Sequence, residues 1–202
     1  MTRRYNEYRS PGQHNSLWYW ARTVAPYRVV INFLVIAVAR YLPWLPLKNA
    51  LYRRIGMTVG KRVSVGLEAT FDIFFPEMIS IGDNSVIGFN TAILGHEYLI
   101  KTWRKGKVEI GSNVVIGANC TVLPGIRIGD GAVVSAHSLV NRDIPAGAFY
   151  GGVPARRLKR ADNMLAPHGN STINENRNQV NEWEGLNDAA ITRDDRELVY
   201  RH

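Results

Sequence analysis

Five histidines and one cysteine carry the imidazole and thiol chemistry open to this chain, and only His96 stands where the sequence pattern changes. It begins the triplet His96-Glu97-Tyr98 just as a regular apolar repeat gives way to the irregular run EYLIKTWRKGK, residues 97 to 107. An imidazole at such an edge faces a cleft, and its pKa near neutrality suits it to take a proton from a hydroxyl. His137, between Ala136 and Ser138, lies in a later repeat and reads as solvent-facing or near a cofactor. His14, His168 and His202 fall in the polar ends. Cys120 sits inside the repeat as a small, buried residue, and it has no second cysteine for a disulfide and no neighbours at metal-ligand spacing. No metal and no covalent intermediate are expected.

An imidazole base works best when an acceptor at its other nitrogen holds one tautomer. Glu97 is adjacent, Asp72 and Glu77 lie upstream, and backbone carbonyls serve equally, so the choice stays open at this level.

The element that positions His96 is a repeat of six. Ile81, Ile87 and Ile93 are six apart, and Ile110, Ile116, Val122, Ile128, Val134 and Val140 resume the same step after the interruption. Val59 and Val65 keep it earlier, so the repeat starts near Ile55. Six fits neither an amphipathic helix nor a long strand. It fits short parallel strands joined by turns, one aliphatic residue per strand pointing inward, which is a β-solenoid. Stacked coils bury a continuous core that no single coil could bury alone. The stretch from Phe71 to Met78 breaks phase and predicts a bulge or insertion. The run 97 to 107 predicts a loop leaving the wall, whose aromatic and basic residues suit a neighbour or a ligand.

The flanks differ in charge. Residues 1 to 62 hold eleven Lys/Arg against Glu7 alone, and residues 162 to 202 hold four Arg against eight acids. A basic end suits an anionic membrane or a phosphorylated substrate. Nucleic acid is disfavoured, because no recognition motif accompanies the charge. Residues 29 to 39, VVINFLVIAVA, are too short to span a bilayer, which needs about 20 apolar residues. Two readings remain open: a helix capping the solenoid, or an interfacial helix with Arg22, Arg28, Arg40, Arg53 and Arg54 at headgroups and Trp18, Trp20 and Trp44 at the boundary. The expected organisation is therefore a basic, apolar segment 1–54, a β-helix 55–160 and a polar, flexible tail 161–202.

The strings ISIGDNSVIGFNTAILGHEYLI and VEIGSNVVIGANCTVLPGIRIGDGAVVSAHSLVNRDIPAGAFYGGVPARRLKR resemble the left-handed β-helix, hexapeptide-repeat acyltransferases, in particular the galactoside, maltose and serine O-acetyltransferase branch. The resemblance covers about residues 55 to 160, with GGVPAR after a DIPAG turn among its more specific motifs. It implies an all-β core that assembles as a homotrimer with active sites between subunits. It also implies acetyl-CoA as co-substrate, His96 as the catalytic base, and transfer by direct attack of an acceptor hydroxyl, a sugar or a lipid-linked or polymeric glycan. Acceptor contacts are assigned to Asp72, Glu97 and Trp103, although the galactoside branch carries an asparagine in the region of Asp72. A thin pantetheine arm needs small residues, and Gly117, Ala118 and Ala136 provide them; 118 and 136 are one coil apart. Asn141, Arg142, Arg156, Arg157 and Lys159 follow with polar groups and cations for the phosphates. Of these, positions matching Ala118, Ala136, Arg142, Arg156 and Lys159 line the CoA site in the family.

Three rivals share the fold. A γ-class carbonic anhydrase calls for two histidines five apart, which this chain lacks. A longer acyl donor on acyl carrier protein, or a non-catalytic trimeric scaffold, is compatible with the repeat itself. The single cysteine fits a cytoplasmic setting, and the basic, apolar N-terminus fits peripheral contact at the membrane's inner face.

Overall fold

A computed structural model of the chain describes residues 3–158. The repeat folds as a left-handed β-helix with three flat faces of parallel strands. One face stacks Thr58–Val59, Ile79–Ile81, Val108–Ile110 and Arg127–Ile128. The second stacks Ser64–Val65, Val86–Ile87, Val115–Ile116, Val133–Val134 and Phe149–Gly151, and closes with the antiparallel strand Arg156–Arg157. The third stacks Thr70–Phe71, Ala92–Ile93, Thr121–Val122 and Leu139–Val140.

All nine predicted aliphatic positions point inward and are no more than 3% exposed. They stack directly on one another: Ile81 on Ile110 on Ile128, Ile87 on Ile116 on Val134, and Ile93 on Val122 on Val140. Between strands the chain must turn through a left-handed residue, and Asn84, Asn90, Asn113 and Asn119 take φ of 51 to 57° there. Asparagine tolerates that region because its short side chain bonds locally. Asn84 donates to Asn113 and Asn90 to Asn119, forming ladders along the corners.

Both phase breaks appear as structure. Between Phe71 and Ile79 the chain leaves the coil, turns at Asp72 and makes a short 3-10 helix, Pro76–Met78. The run 97 to 107, expected as a loop, is a β-hairpin of strands His96–Tyr98 and Thr102–Lys105. Its second strand pairs on its other edge with Asn6–Arg9, so the basic N-terminus completes a three-stranded antiparallel sheet.

The segment before the coils forms α1 (Trp20–Thr23), α2 (Pro26–Tyr41) and α3 (Leu45–Arg54). Pro26 and Pro46 sit in the first turns, where a missing N–H costs nothing. Gly56, at φ +100°, lets the chain leave α3. The first coil has no preceding coil to satisfy its carbonyls, and helix side chains do so instead. Lys48 Nζ donates to Val65 O and Gly66 O, Asn49 to Val63 O, Arg53 to Val59 O and Gly60 O, and Asn32 to Ile73 O. Lys48 is completely buried, and its desolvation lowers the amine's pKa. The capping role thus falls to the inner faces of α2 and α3. The tail predicted for residues 161–202 lies outside the described residues.

Candidate active site

His96 emerges from the third face one residue after Gly95, where the hairpin begins. Its Nδ1 meets Asp72 Oδ2, and the Asp72 side chain is completely buried while that of His96 is 13% exposed. The aspartate is fixed from three further directions. Its Oδ1 accepts from Phe74 N at 2.9 Å and Phe75 N at 3.0 Å, and Oδ2 also accepts from Gly95 N at 2.8 Å. The excursion that broke the hexad phase exists locally as an Asp-capped turn, and its product is a rigid acceptor under the imidazole. With Nδ1–H donating to Asp72, the lone pair of His96 resides on Nε2, which bonds no described residue. That is the tautomer a general base requires.

Aromatic rings wall the imidazole. Phe74 and Tyr98 present edges at centroid distances of 4.8 Å each, and Phe75 at 5.5 Å. Trp20 of α1 packs on Phe74 at 5.8 Å. Thr23 Oγ donates to Trp20 O, so the Tyr98 hydroxyl donates to Thr23 Oγ at 2.6 Å. Burial raises the Tyr98 pKa, so the phenol stays a neutral donor. Farther along, Ser16 clips the hairpin tip by bonding both the N–H and the carbonyl of Leu99. The N-terminal arm is therefore part of the site's support.

Two acceptor assignments are corrected. Asp72 spends both oxygens on His96 and backbone N–H groups, so it has none to offer a substrate. Trp103 is buried, stacked between Tyr8 at 4.4 Å and Phe75 at 5.8 Å, and packs the hairpin against the excursion. Glu97 is half-buried and paired with Arg3, whose Nε also donates to Pro124 O. Glu77, a rival orienting carboxylate, is exposed and faces Arg28 at 3.9 Å.

The residues assigned to the cofactor divide. Ala118 and Ala136 lie one coil apart on one edge, tied by the bond from His137 N to Ala118 O. Gly117 has a structural reason to be glycine, since a Cβ there would lie 2.5 Å from Ala136 N. Asn141 is half-buried, with its Oδ1 enclosed and unpartnered among the described residues. Arg142, Arg156 and Arg157 are exposed, the last two on the closing strand. Lys159 lies outside the described residues. Cys120 is buried with its thiol donating to Ser135 O, and desolvation raises its pKa, which disfavours a thiolate nucleophile. Among the described residues no cluster of three His, Cys, Asp or Glu has metal-binding geometry.

The family models "Bacterial transferase hexapeptide (six repeats)" and "Hexapeptide repeat of succinyl-transferase" match residues 107–142 and 56–94. The Bacillus subtilis (strain 168) protein named "Putative acetyltransferase YvoF" is 55% identical over 151 residues, 74% of this chain and 88% of its own. The chain belongs to the hexapeptide-repeat acetyltransferase family. It is accordingly an acyltransferase enzyme. Solved structures share this acetyltransferase's fold. A hexapeptide-repeat acetyltransferase of Vibrio cholerae complexed with acetyl-CoA matches with TM-score 0.54 at 21% identity, over 66% of this chain and 86% of that one. A galactoside acetyltransferase in complex with coenzyme A matches with TM-score 0.55 at 20% identity, over 72% and 87%.

Sequence reasoning missed Phe74, Thr23, Ser16 and Arg3 in this acetyltransferase. The available signal was the aromatic doublet Phe74-Phe75 inside the phase break, since a solenoid insertion rich in aromatics must pack on something.

Proposed function

We propose that this acetyltransferase moves the acetyl group of acetyl-CoA to a hydroxyl of a sugar or sugar-containing acceptor. The observation that carries this reading is the fixed His96–Asp72 pair with Nε2 left unbonded. Nε2 removes the hydroxyl proton as the oxygen attacks the thioester carbonyl. The resulting imidazolium is stabilised by Asp72, and its proton then passes to the departing thiolate of CoA. Atoms balance with no covalent enzyme intermediate, consistent with a buried, proton-retaining Cys120. The acetyl-CoA and CoA present in the Vibrio cholerae and galactoside enzymes support the same donor here.

In this reading the pantetheine arm lies along the edge carrying Ala118 and Ala136. Arg142, Arg156 and Lys159 meet the phosphates, with Asn141 nearby. Glu97 borders the acceptor side. A homotrimer places a second subunit against the outward apolar row of the second face, where Val86, Val115, Val133 and Phe149 align in register. Val86 and Val115 are 41% and 36% exposed in the single chain, and a subunit contact would cover them.

The test is thiol release from acetyl-CoA across a panel of glycans, with mass spectrometry reading the gain of one acetyl group. His96→Ala lowers turnover by about 10² or more with fold intact. Unchanged turnover removes the mechanism.

A further inference from the structure

The outer surface of α2 is apolar along its length apart from Arg28 in its first turn. Its inner face buries Val29, Asn32, Ile36 and Ala39, whereas Tyr27, Ile31, Leu34, Val38 and Tyr41 form an outward stripe, each more than half exposed. The inner face is apolar too apart from Asn32, so the helix lacks the polar outer face that a surface helix normally shows. Trp44 and Leu47 extend the patch toward α3 at 67% and 50% exposure. Single exposed apolar residues are ordinary, but a contiguous patch of this kind marks a binding face.

The charge around the patch selects the partner. Leu45 and Pro46 share an open depression with Arg53, Lys61 and Arg62, so apolar and cationic groups alternate at its margin. Arg54 adds an exposed cation. The acids facing this end are Glu68, Glu77 and Asp83. Glu77 is opposed by Arg28, and Asp83 accepts from Lys61 N. A second copy of this chain would bring cations against cations. An anionic lipid surface brings apolar depth and opposite charge together. Among the described residues no single helix is long and apolar enough to cross a membrane. The 16 residues of α2 measure about 24 Å, short of the hydrocarbon thickness.

We infer that the outer face of α2, continued by Trp44 and Leu47, lies in the plane of an anionic bilayer and holds the β-helix on its surface. This inference stands apart from the acyl-transfer reading. Deleting residues 1 to 48 would not test it, because that removes Asn32 and Lys48, whose side chains bond Ile73 O, Val65 O and Gly66 O.

The experiment is co-sedimentation of the full chain with vesicles of phosphatidylglycerol and phosphatidylcholine, against phosphatidylcholine alone. The expected result is binding to the anionic vesicles, at least tenfold weaker to the neutral ones and partly reversed by high salt. Ile31→Glu with Leu34→Glu abolishes sedimentation, and Arg54→Glu with Lys61→Glu weakens it at least tenfold, both with unchanged circular dichroism and oligomer mass. Wild-type protein that ignores anionic vesicles overturns the inference. A change of oligomer mass in the Ile31/Leu34 variant also overturns it, and assigns the face to a second copy.

Discussion

Asp72 Oδ2 and His96 Nδ1 meet although they lie 24 positions apart in the chain, and the same carboxylate is held by the N–H groups of Phe74, Phe75 and Gly95. Four donors converge on one buried group, so the imidazole's orientation is set by backbone rather than by a mobile side chain. Asp72→Asn keeps the size but presents an amide that disfavours the Nδ1–H tautomer. Turnover is expected to fall about 10²-fold or more, with the apparent KM for acetyl-CoA little changed. Steady-state kinetics at several pH values checks this. Full activity with an unaltered pH profile would make Asp72 merely structural.

Arg142 and Arg156 project from the late coils with no acidic partner among the described residues. In the proposed CoA groove their loss removes charge-assisted contacts to phosphate. The double variant Arg142→Ala, Arg156→Ala raises the KM for acetyl-CoA far more than that for the acceptor. An effect confined to the acceptor places CoA elsewhere.

Tyr52 is completely buried, edge-on to Phe71 at 4.7 Å, and its hydroxyl bonds no described residue. Desolvation raises its pKa above the ordinary value of 10.0. A raised pKa means stability present in full below pH about 10 and lost as pH climbs from there through the folded-state value, because the unfolded phenol ionises first. Tyr98 titrates in the same direction. Tyr52→Phe should flatten the alkaline limb of a pH series of denaturant melts. It should also leave neutral-pH stability unchanged or raised by about 1 kcal/mol, since an unpaired buried hydroxyl is removed.

At Gly117 the neighbouring coil comes so close that a Cβ would sit 2.5 Å from Ala136 N and 2.8 Å from Ala136 Cα. Both are backbone atoms and cannot swing aside. Gly117→Ala therefore costs about 1 to 3 kcal/mol through overpacking, read as a lowered melting temperature. The same change at Gly147, where nothing lies within 4 Å, costs only the strain of its φ of +65°.

The chain alone determined the solenoid, because each coil's requirement is local. One aliphatic residue every six positions must point inward, and Ile81 through Val140 state this without reference to anything distant. The same periodicity exposed its own interruptions, so the excursion after Phe71 and the departure at His96 were both legible. Tertiary structure decided what those interruptions are for. Closing a coil brings the excursion beneath the hairpin, which turns Asp72 from one carboxylate among several into the partner of His96. Arg3 reaches Glu97 and Tyr8 covers Trp103 only because the N-terminal strand adds to the hairpin's free edge. Edge pairing is made by backbone groups that every residue carries, so no side-chain pattern announces it. The apolar run of α2 likewise fixed a helix but not its orientation. That depended on Asn32 finding Ile73 O, a carbonyl that the excursion after Phe71 carries out of the coil.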